Sequence, residues 1–203
     1  MSQPLEIRAA RPDDVGPIAE LMYSSGPEIY DFLYGNKAIE FIRYEFAQGS
    51  GVCGWRNVTV AVKDGRVVGT GCFYDKAAYN PLTMGSARNI FRFFGPLGAL
   101  PVVWRARHTN SIMKPPRPGE LYLANFGVDA TLRSQGIGST LIRSRLEQAR
   151  QQGYKQFGLD VAVTNPRGQA LYERLGMQLK REKQFSAANS GVPGCRKMEL
   201  LLG

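Results

Sequence analysis

Hydrophobic and polar positions follow two different periods along this chain, and the order of the two periods predicts a mixed α/β fold. Two apolar runs flank Asp64-Gly65, a dipeptide that favours a tight hairpin. Alternating or short apolar runs, which are typical of strands, occur in the segments 5–10, 58–63, 66–74, 120–128, 155–163, 177–185 and 195–202. This pattern predicts a central sheet of about six to seven strands.

Apolar residues at helical spacing lie between those runs. They predict helices near 11–25, over 28–47 with a break at Gly35, near 84–94 and 97–110, over 137–152, and from Asn165 to Gly176. The strand-helix-strand order in the middle of the chain is typical of a right-handed crossover within a mixed sheet. Because no internal repeat or clear linker divides the chain, a single domain over 1–203 is expected.

The run LRSQGIGSTLI at 132–142 joins a strand to a strongly periodic helix. Gly136 and Gly138 would let the backbone approach a ligand closely, and the first N–H groups of the helix lack internal partners. Arg133 adds a cation beside them. The context favours a phosphate-binding turn, although glycines at this spacing also form ordinary tight turns.

Two motifs extend this interpretation. The first is V-x4-R-x2-G-x-G and the second is N-x5-L-Y-x3-G; their defined positions are Val128, Arg133, Gly136 and Gly138, then Asn165, Leu171, Tyr172 and Gly176. Together they resemble the two acyl-CoA segments of the GNAT superfamily of N-acyltransferases. Ala130, Gly168 and Met177 depart from residues that are common in the family, beside the ligand-contacting positions.

The resemblance implies the GNAT fold, an α/β (α+β) architecture. It has a central mixed twisted sheet with helices on both faces, and here a helical insertion, 76–119, between the third and fourth strands. It also implies acetyl-CoA as co-substrate. The implied cofactor-binding residues are Phe126, Gly127, Val128, Arg133, Ser134, Gln135, Gly136, Ile137, Gly138, Ser139, Asn165 and Tyr172.

The resemblance further implies direct transfer of an acetyl group to a primary amine. Tyr172 corresponds to the proton donor for the departing thiolate, and the backbone N–H of Phe126 to the donor for the acyl carbonyl. In the family the fourth strand bulges and diverges from the fifth at this point, and Gly127 is expected as the bulge residue.

The general base stays open in the sequence. Tyr122 and Ala124 occupy the strand positions where some family members have a carboxylate or an imidazole, and neither is a good base at neutral pH. Glu120 is the nearest carboxylate on that strand and is the first candidate. Asp160 on the next strand, or a chain of waters, is an alternative.

Charge adds one further expectation. The net charge is +9 and the sequence pI is about 9.7, which favours an anionic partner. The insertion 76–119 carries seven cations and no Asp or Glu, interleaved with large apolar residues. We expect it to form a helical lid over the acceptor pocket; a helical decoration with a solvated basic face is the alternative.

Composition limits the remaining classes. A single histidine and three scattered cysteines give no metal-ligand spacing, so no metal is expected, and the cysteines indicate a reducing, cytoplasmic compartment. No signal peptide or membrane span is expected, since the longest apolar run, at 95–104, is too short.

Function classes follow from the motifs. The chain carries no helix-turn-helix, zinc or RNA-binding signature, so a nucleic-acid partner is not expected. The leading function is an N-acetyltransferase whose acceptor is a small molecule or a peptide. A non-catalytic acyl-CoA-binding or regulatory module and a transferase acting on an RNA-borne amine are the alternatives, and a homodimer stays open.

Overall fold

The computed structural model describes residues 4–203, and a seven-stranded mixed sheet forms its centre. The strands are β1 Glu6–Ala9, β2 Val58–Lys63, β3 Arg66–Tyr74, β4 Glu120–Val128, β5 Gln156–Ala162, β6 Gln178–Lys183 and β7 Cys195–Leu201. Their spatial order is β1-β2-β3-β4-β5-β7-β6. Only β4 and β5 pair in parallel, and all other neighbours are antiparallel. The predicted mixed sheet is confirmed.

Helices cover both faces of this sheet. They are α1 Val15–Tyr23, α2 Pro27–Tyr34, α3 Ala38–Gln48, α4 Lys76–Ala106, α5 Ile137–Gln151 and α6 Pro166–Arg174. Apolar side chains of α1, α2 and α3 pack on β2 and β3. Those of α5 and α6 pack on the opposite face, against β3, β4 and β5. Alternation along the strands explains this division, because neighbouring residues such as Val60 and Ala61 belong to different clusters.

The predicted helix break falls at Gly35, whose φ of +61° suits glycine. The insertion differs from prediction at its start. Its first helix begins at Lys76 rather than near residue 84, because the Asp75 carboxylate accepts a hydrogen bond from the Ala78 backbone N–H at 2.9 Å. The two predicted helices meet at a kink, where Gly95 has a φ of +70°.

Strands β4 and β5 pair only along their first halves, from Glu120 opposite Gln156 to Leu123 opposite Leu159. Beyond that point β4 contains a bulge, since Asn125 and Phe126 stand opposite a single β3 residue. The predicted divergence of the two strands is therefore present. The bulge consists of Asn125, with a φ of +51°, and Phe126, and thus directly precedes Gly127, where it was expected.

Gly127 has a different role from the predicted one. It pairs regularly with Thr70, and a Cβ at this position would overlap the backbone carbonyl oxygen of Leu21 in α1. The glycine is thus needed for the close approach of α1 to β4, not for the bulge itself.

Candidate active site

A cavity of about 570 Å³ opens where β4 ends and α5 and α6 begin. We call it the basic cavity, because Arg133, Arg167 and Arg174 line it and Glu28 is its one acidic lining residue in the described chain. All the predicted cofactor-binding residues line this cavity except Gln135. The side-chain oxygen of Gln135 instead accepts a hydrogen bond from Lys63 Nζ at 3.0 Å.

The N-terminus of α5 forms one wall of the basic cavity. Gly136 precedes the helix with a φ of +81°, and no side chain of the described residues caps the first turn. A Cβ at Gly138 would lie 3.1 Å from the Phe126 ring, so glycine lets the helix approach β4 closely. Uncapped N–H groups beside the Arg133 guanidinium suit the phosphate oxygens of a nucleotide.

A second wall comes from α6. The Asn165 carboxamide oxygen accepts a hydrogen bond from the Gly168 backbone N–H at 2.9 Å and caps the helix, as predicted. A Cβ at position 168 would lie only 2.7 Å from Asn165 Nδ2. This close contact explains why the chain has glycine here, where it departs from the family pattern. Tyr172, two turns further, is buried, and this burial raises the pKa of its hydroxyl above the ordinary value.

A second cavity of about 410 Å³ lies beyond the divergence of β4 and β5, and we call it the apolar cavity. Its walls come mainly from α2, α4, β4 and β5. It adjoins the basic cavity, and the two share the lining residues Ser25, Gly26, Glu28, Phe126, Ala162, Asn165 and Tyr172. The predicted oxyanion donor and the predicted proton donor therefore lie together, at the junction of the two cavities.

The insertion covers this apolar cavity. Thr83, Ser86, Ala87, Ile90, Val103 and Ala106 of α4 line it, and none of the seven cations of the insertion lines either cavity. The insertion thus packs over the cavity with its cations outside it, and its role as a lid over the acceptor stays a prediction. The outer surface of α4 exposes further apolar side chains, among them Leu97 and Trp104, beside those cations.

Acidic groups line the apolar cavity, and they are Glu28, Glu45 and Asp160, with no Lys, Arg or His among the described lining residues. The Asp160 side chain is 2% exposed and accepts a hydrogen bond from the Tyr122 hydroxyl at 2.8 Å. Burial, together with the nearby Asp160 charge, raises the pKa of Tyr122 well above its ordinary value. Tyr122 thus stays protonated, and Asp160 directly follows Leu159, the last β5 residue that pairs with β4.

Glu120 is not brought to this site. It lies at the paired end of β4, is 2% exposed and lines neither cavity. Its carboxylate accepts hydrogen bonds from Lys197 Nζ at 2.5 Å and from the Arg117 backbone N–H at 2.8 Å. Asp160 is also paired, with Lys183 Nζ at 3.9 Å, but it lines the apolar cavity and Glu120 lines neither. The first candidate for the general base is therefore misplaced, and Asp160 is better placed.

Glu45 lines the apolar cavity and was not among the predicted site residues. It is 2% exposed and belongs to the buried face of α3 together with Phe41, Ile42 and Phe46. The sequence contained a sign of this, because Glu45 lies on an apolar helical face and a glutamate is seldom fully buried unless it is paired. Within residues 4–203, no cluster of side chains is arranged to hold a metal ion, and no helix is long and apolar enough to cross a membrane.

Comparisons with known proteins agree with this geometry. The model of the acetyltransferase (GNAT) family matches residues 23–177. A Bacillus subtilis (strain 168) protein that carries the name of a ribosomal protein bS18-alanine N-acetyltransferase is 34% identical over 56 residues. That match covers 28% of this chain and 37% of the relative.

Solved structures share the fold along nearly the whole chain. An N-acetyltransferase from Staphylococcus aureus Mu50 superposes with a TM-score of 0.66 at 18% identity, over 96% of this chain and 100% of that one. A Salmonella typhimurium protein solved with its cofactor acetyl-CoA gives a TM-score of 0.57 at 14% identity, over 99% and 95% of the two chains. With the family match spanning most of its length, the chain belongs to the GNAT family of acetyltransferases.

Proposed function

We propose that this protein transfers an acetyl group from acetyl-CoA to a primary amine by direct attack within a ternary complex. The observation that carries the proposal is the junction of two unlike cavities at Phe126 and Tyr172. A basic cavity suits the anionic half of the co-substrate, and an apolar, acidic cavity suits an amine. Their contact allows the two reactants to meet in line.

Residues of the basic cavity would hold acetyl-CoA. The uncapped N-terminus of α5 from Gly136 to Ser139 and the Arg133 guanidinium suit its pyrophosphate, and Val128 lies along the wall that the pantetheine arm would follow. Acetyl-CoA, when bound, supplies an acyl thioester. The backbone N–H of Phe126 would then donate to the acyl carbonyl oxygen, and the N–H donor is worth most in a buried site.

The acceptor ammonium loses two protons in the reaction and the departing thiolate gains one, and the chain offers a base and an acid for these transfers. Asp160 in the apolar cavity would accept a proton from the acceptor ammonium, while Tyr122 holds the carboxylate in place through its hydroxyl. Tyr172 would donate a proton to the departing thiolate, since burial keeps its hydroxyl protonated at neutral pH. The second proton of the amine nitrogen, lost as the amide forms, would then restore the Tyr172 hydroxyl. Base and acid thus approach the junction from different sides.

The test is a screen of the purified protein with acetyl-CoA and a panel of amines, including an alanine-initiated peptide and an aminoacyl-RNA, in which released thiol is measured. We expect thiol release with small amines and intersecting initial-rate lines when both substrates are varied. Parallel lines would contradict a ternary complex. Binding of acetyl-CoA without thiol release from any acceptor would favour the non-catalytic module, and release with RNA alone would favour the RNA-borne amine.

The compartment belongs to the same proposal. All three cysteines, Cys53, Cys72 and Cys195, are buried and unpaired with one another, which supports a reducing, cytoplasmic location.

A further inference from the structure

The lining of the apolar cavity restricts what it can hold. Aromatic and aliphatic side chains such as Tyr30, Leu33, Ile90 and Leu159 form most of the wall, and its volume suits a small ligand. Three carboxylates also line the cavity. Lys183, which is not a lining residue, pairs with Asp160 at 3.9 Å, and no cationic side chain of the described lining balances Glu28 and Glu45. An acceptor that carries its own carboxylate would meet uncompensated negative charge there. An apolar body with a cationic or neutral polar end would not.

Glu45 is the unusual member of this wall. Its Oε1 is fully buried and has no hydrogen-bond partner among the described residues. The neighbouring amide oxygen, Asn89 Oδ1, is also buried without a partner, while Asn89 Nδ2 already donates to the Ser50 carbonyl at 2.9 Å. Two buried acceptors without a donor are costly. Glu45 lines the apolar cavity and Asn89 does not, so a ligand in the cavity could supply a donor to Glu45.

The local fold keeps Glu45 at this position. Gly51 in the loop after α3 has a φ of +90°, and a Cβ there would overlap Glu45 Oε1. The Ser86 and Asn89 side chains of α4 lie beside the Glu45 carboxyl and favour its ionised form, but burial outweighs them and raises its pKa. Glu45 is thus held between the loop and the lid, at a fixed place in the cavity wall.

A short path connects Glu45 to the reaction centre. Cys53 lies beside Glu45, and Cys53 Sγ accepts a hydrogen bond from Asn125 Nδ2 at 3.2 Å. Asn125 is the bulge residue that precedes Phe126. One small acceptor molecule could therefore extend from the junction of the cavities to Glu45.

We propose that the acceptor is a primary amine on an apolar body without a carboxylate, and that its far end carries a hydrogen-bond donor bound by Glu45. The inference rests on the proposed function, since it names the acceptor class of that same site. Glu45 selects the acceptor and takes no part in the proton transfers. Ammonium and hydroxyl ends share the required donor chemistry, and the experiment distinguishes them.

The experiment compares amines that differ only at the far end. Three linear series, with roughly four to eight carbons between the reacting amine and the far group, end in ammonium, hydroxyl or methyl, for example 1,5-diaminopentane, 5-amino-1-pentanol and hexylamine. We expect kcat/KM for a donor-ended amine to exceed that for the methyl-ended amine of equal length by roughly ten- to a hundredfold. Lysine, which adds only a carboxylate to 1,5-diaminopentane, should be acetylated at least about tenfold less efficiently.

The variant Glu45→Gln keeps the shape and one acceptor oxygen but removes the charge. It should lower the ratio of kcat/KM for the ammonium-ended amine to that for the methyl-ended amine toward one. The corresponding ratio for the hydroxyl-ended amine should be largely retained. Glu40→Gln, an exposed glutamate on the same helix, is the matched control and should leave the preferences unchanged. Thermal melts of both variants verify that they fold.

Three results would overturn the inference: equal kcat/KM for all three ends, an ammonium preference that survives Glu45→Gln, or lysine as the better substrate. Glu45 would then be a protonated carboxyl group that donates a hydrogen bond to Asn89 Oδ1. Calorimetric titration with the same amines measures binding without turnover. If the donor preference appears in binding while no amine is acetylated, the proposed function fails and the acceptor site stands. If neither appears, both fail.

Discussion

The rings of Phe126 and Tyr172 lie with their centroids 6.3 Å apart, one on the bulge of β4 and the other on α6. Both line the basic cavity and the apolar cavity. The bulge and the helix therefore bring the two proposed catalytic groups to one point, although 45 residues of sequence lie between them.

The first prediction concerns the Tyr172 hydroxyl. The substitution Tyr172→Phe should lower kcat by roughly ten- to a thousandfold, because the thiolate loses its proton donor. The ring and its packing are retained, so acetyl-CoA should raise the melting temperature as much as in the unchanged protein. Steady-state kinetics and thermal melts provide both measurements. An unchanged kcat on a good acceptor would show that Tyr172 has a packing role only.

The second prediction follows from the direction of the Tyr172 pKa. Burial raises this pKa above the ordinary value of 10.0, and an acid is lost only as the pH rises through its pKa. The kcat at saturating substrates should therefore not fall between pH 8 and about pH 9.5. A pH–rate profile checks this. An alkaline decline in that interval that disappears in Tyr172→Phe would contradict the assignment.

The third prediction tests the phosphate site at the start of α5. A side chain at Gly136 meets no atom within 4 Å, so Asp and Asn should both fit, each at the cost of a positive φ. Gly136→Asp should abolish the stabilisation by acetyl-CoA, which reaches about 2.7 kcal/mol at a hundred times Kd. Gly136→Asn introduces a side chain of the same shape without the charge, and it should retain part of the stabilisation by acetyl-CoA. Thermal melts with and without acetyl-CoA separate the two, and equal losses would exclude an electrostatic cause.

The fourth prediction concerns the contact between α1 and β4. Gly127→Ala should lower the free energy of unfolding by about 3 kcal/mol or more, because its Cβ would overlap the Leu21 carbonyl oxygen. Gly16→Ala in α1 is the control. Its Cβ would meet no atom within 4 Å, so the substitution should be neutral or slightly stabilising. Denaturant unfolding measures both. A cost below about 1 kcal/mol for Gly127→Ala would show that α1 can move away from the sheet.

Local patterns were sufficient for the sheet and most helices. The periodicity of 137–152 and the cap at Asn165 depend on neighbouring residues alone, so the sequence predicted α5 and the start of α6 correctly. The motif positions around Arg133 and Gly136 were equally accessible, and they line one cavity as the resemblance implied.

The errors arose where distant segments meet. Glu120 is excluded from the site by Lys197, which is 77 residues away in the chain, and nothing near Glu120 indicates that partner. The role of Gly127 depends on the backbone of α1, and the burial of Glu45 depends on the lid. Tertiary contacts of this kind leave no periodic signal in the sequence.

The buried pair of Glu120 and Lys197 also has a consequence for the evolution of the chain. Their side chains meet over Gly158 of the intervening strand β5, where a Cβ would overlap Glu120 Oε1 and lie 2.7 Å from Lys197 Nζ. Loss of either charge leaves the other buried and unpaired, and any larger residue at 158 separates them. Residues 120, 158 and 197 should therefore co-vary among relatives. We expect the residues that line the two cavities to vary independently of these three.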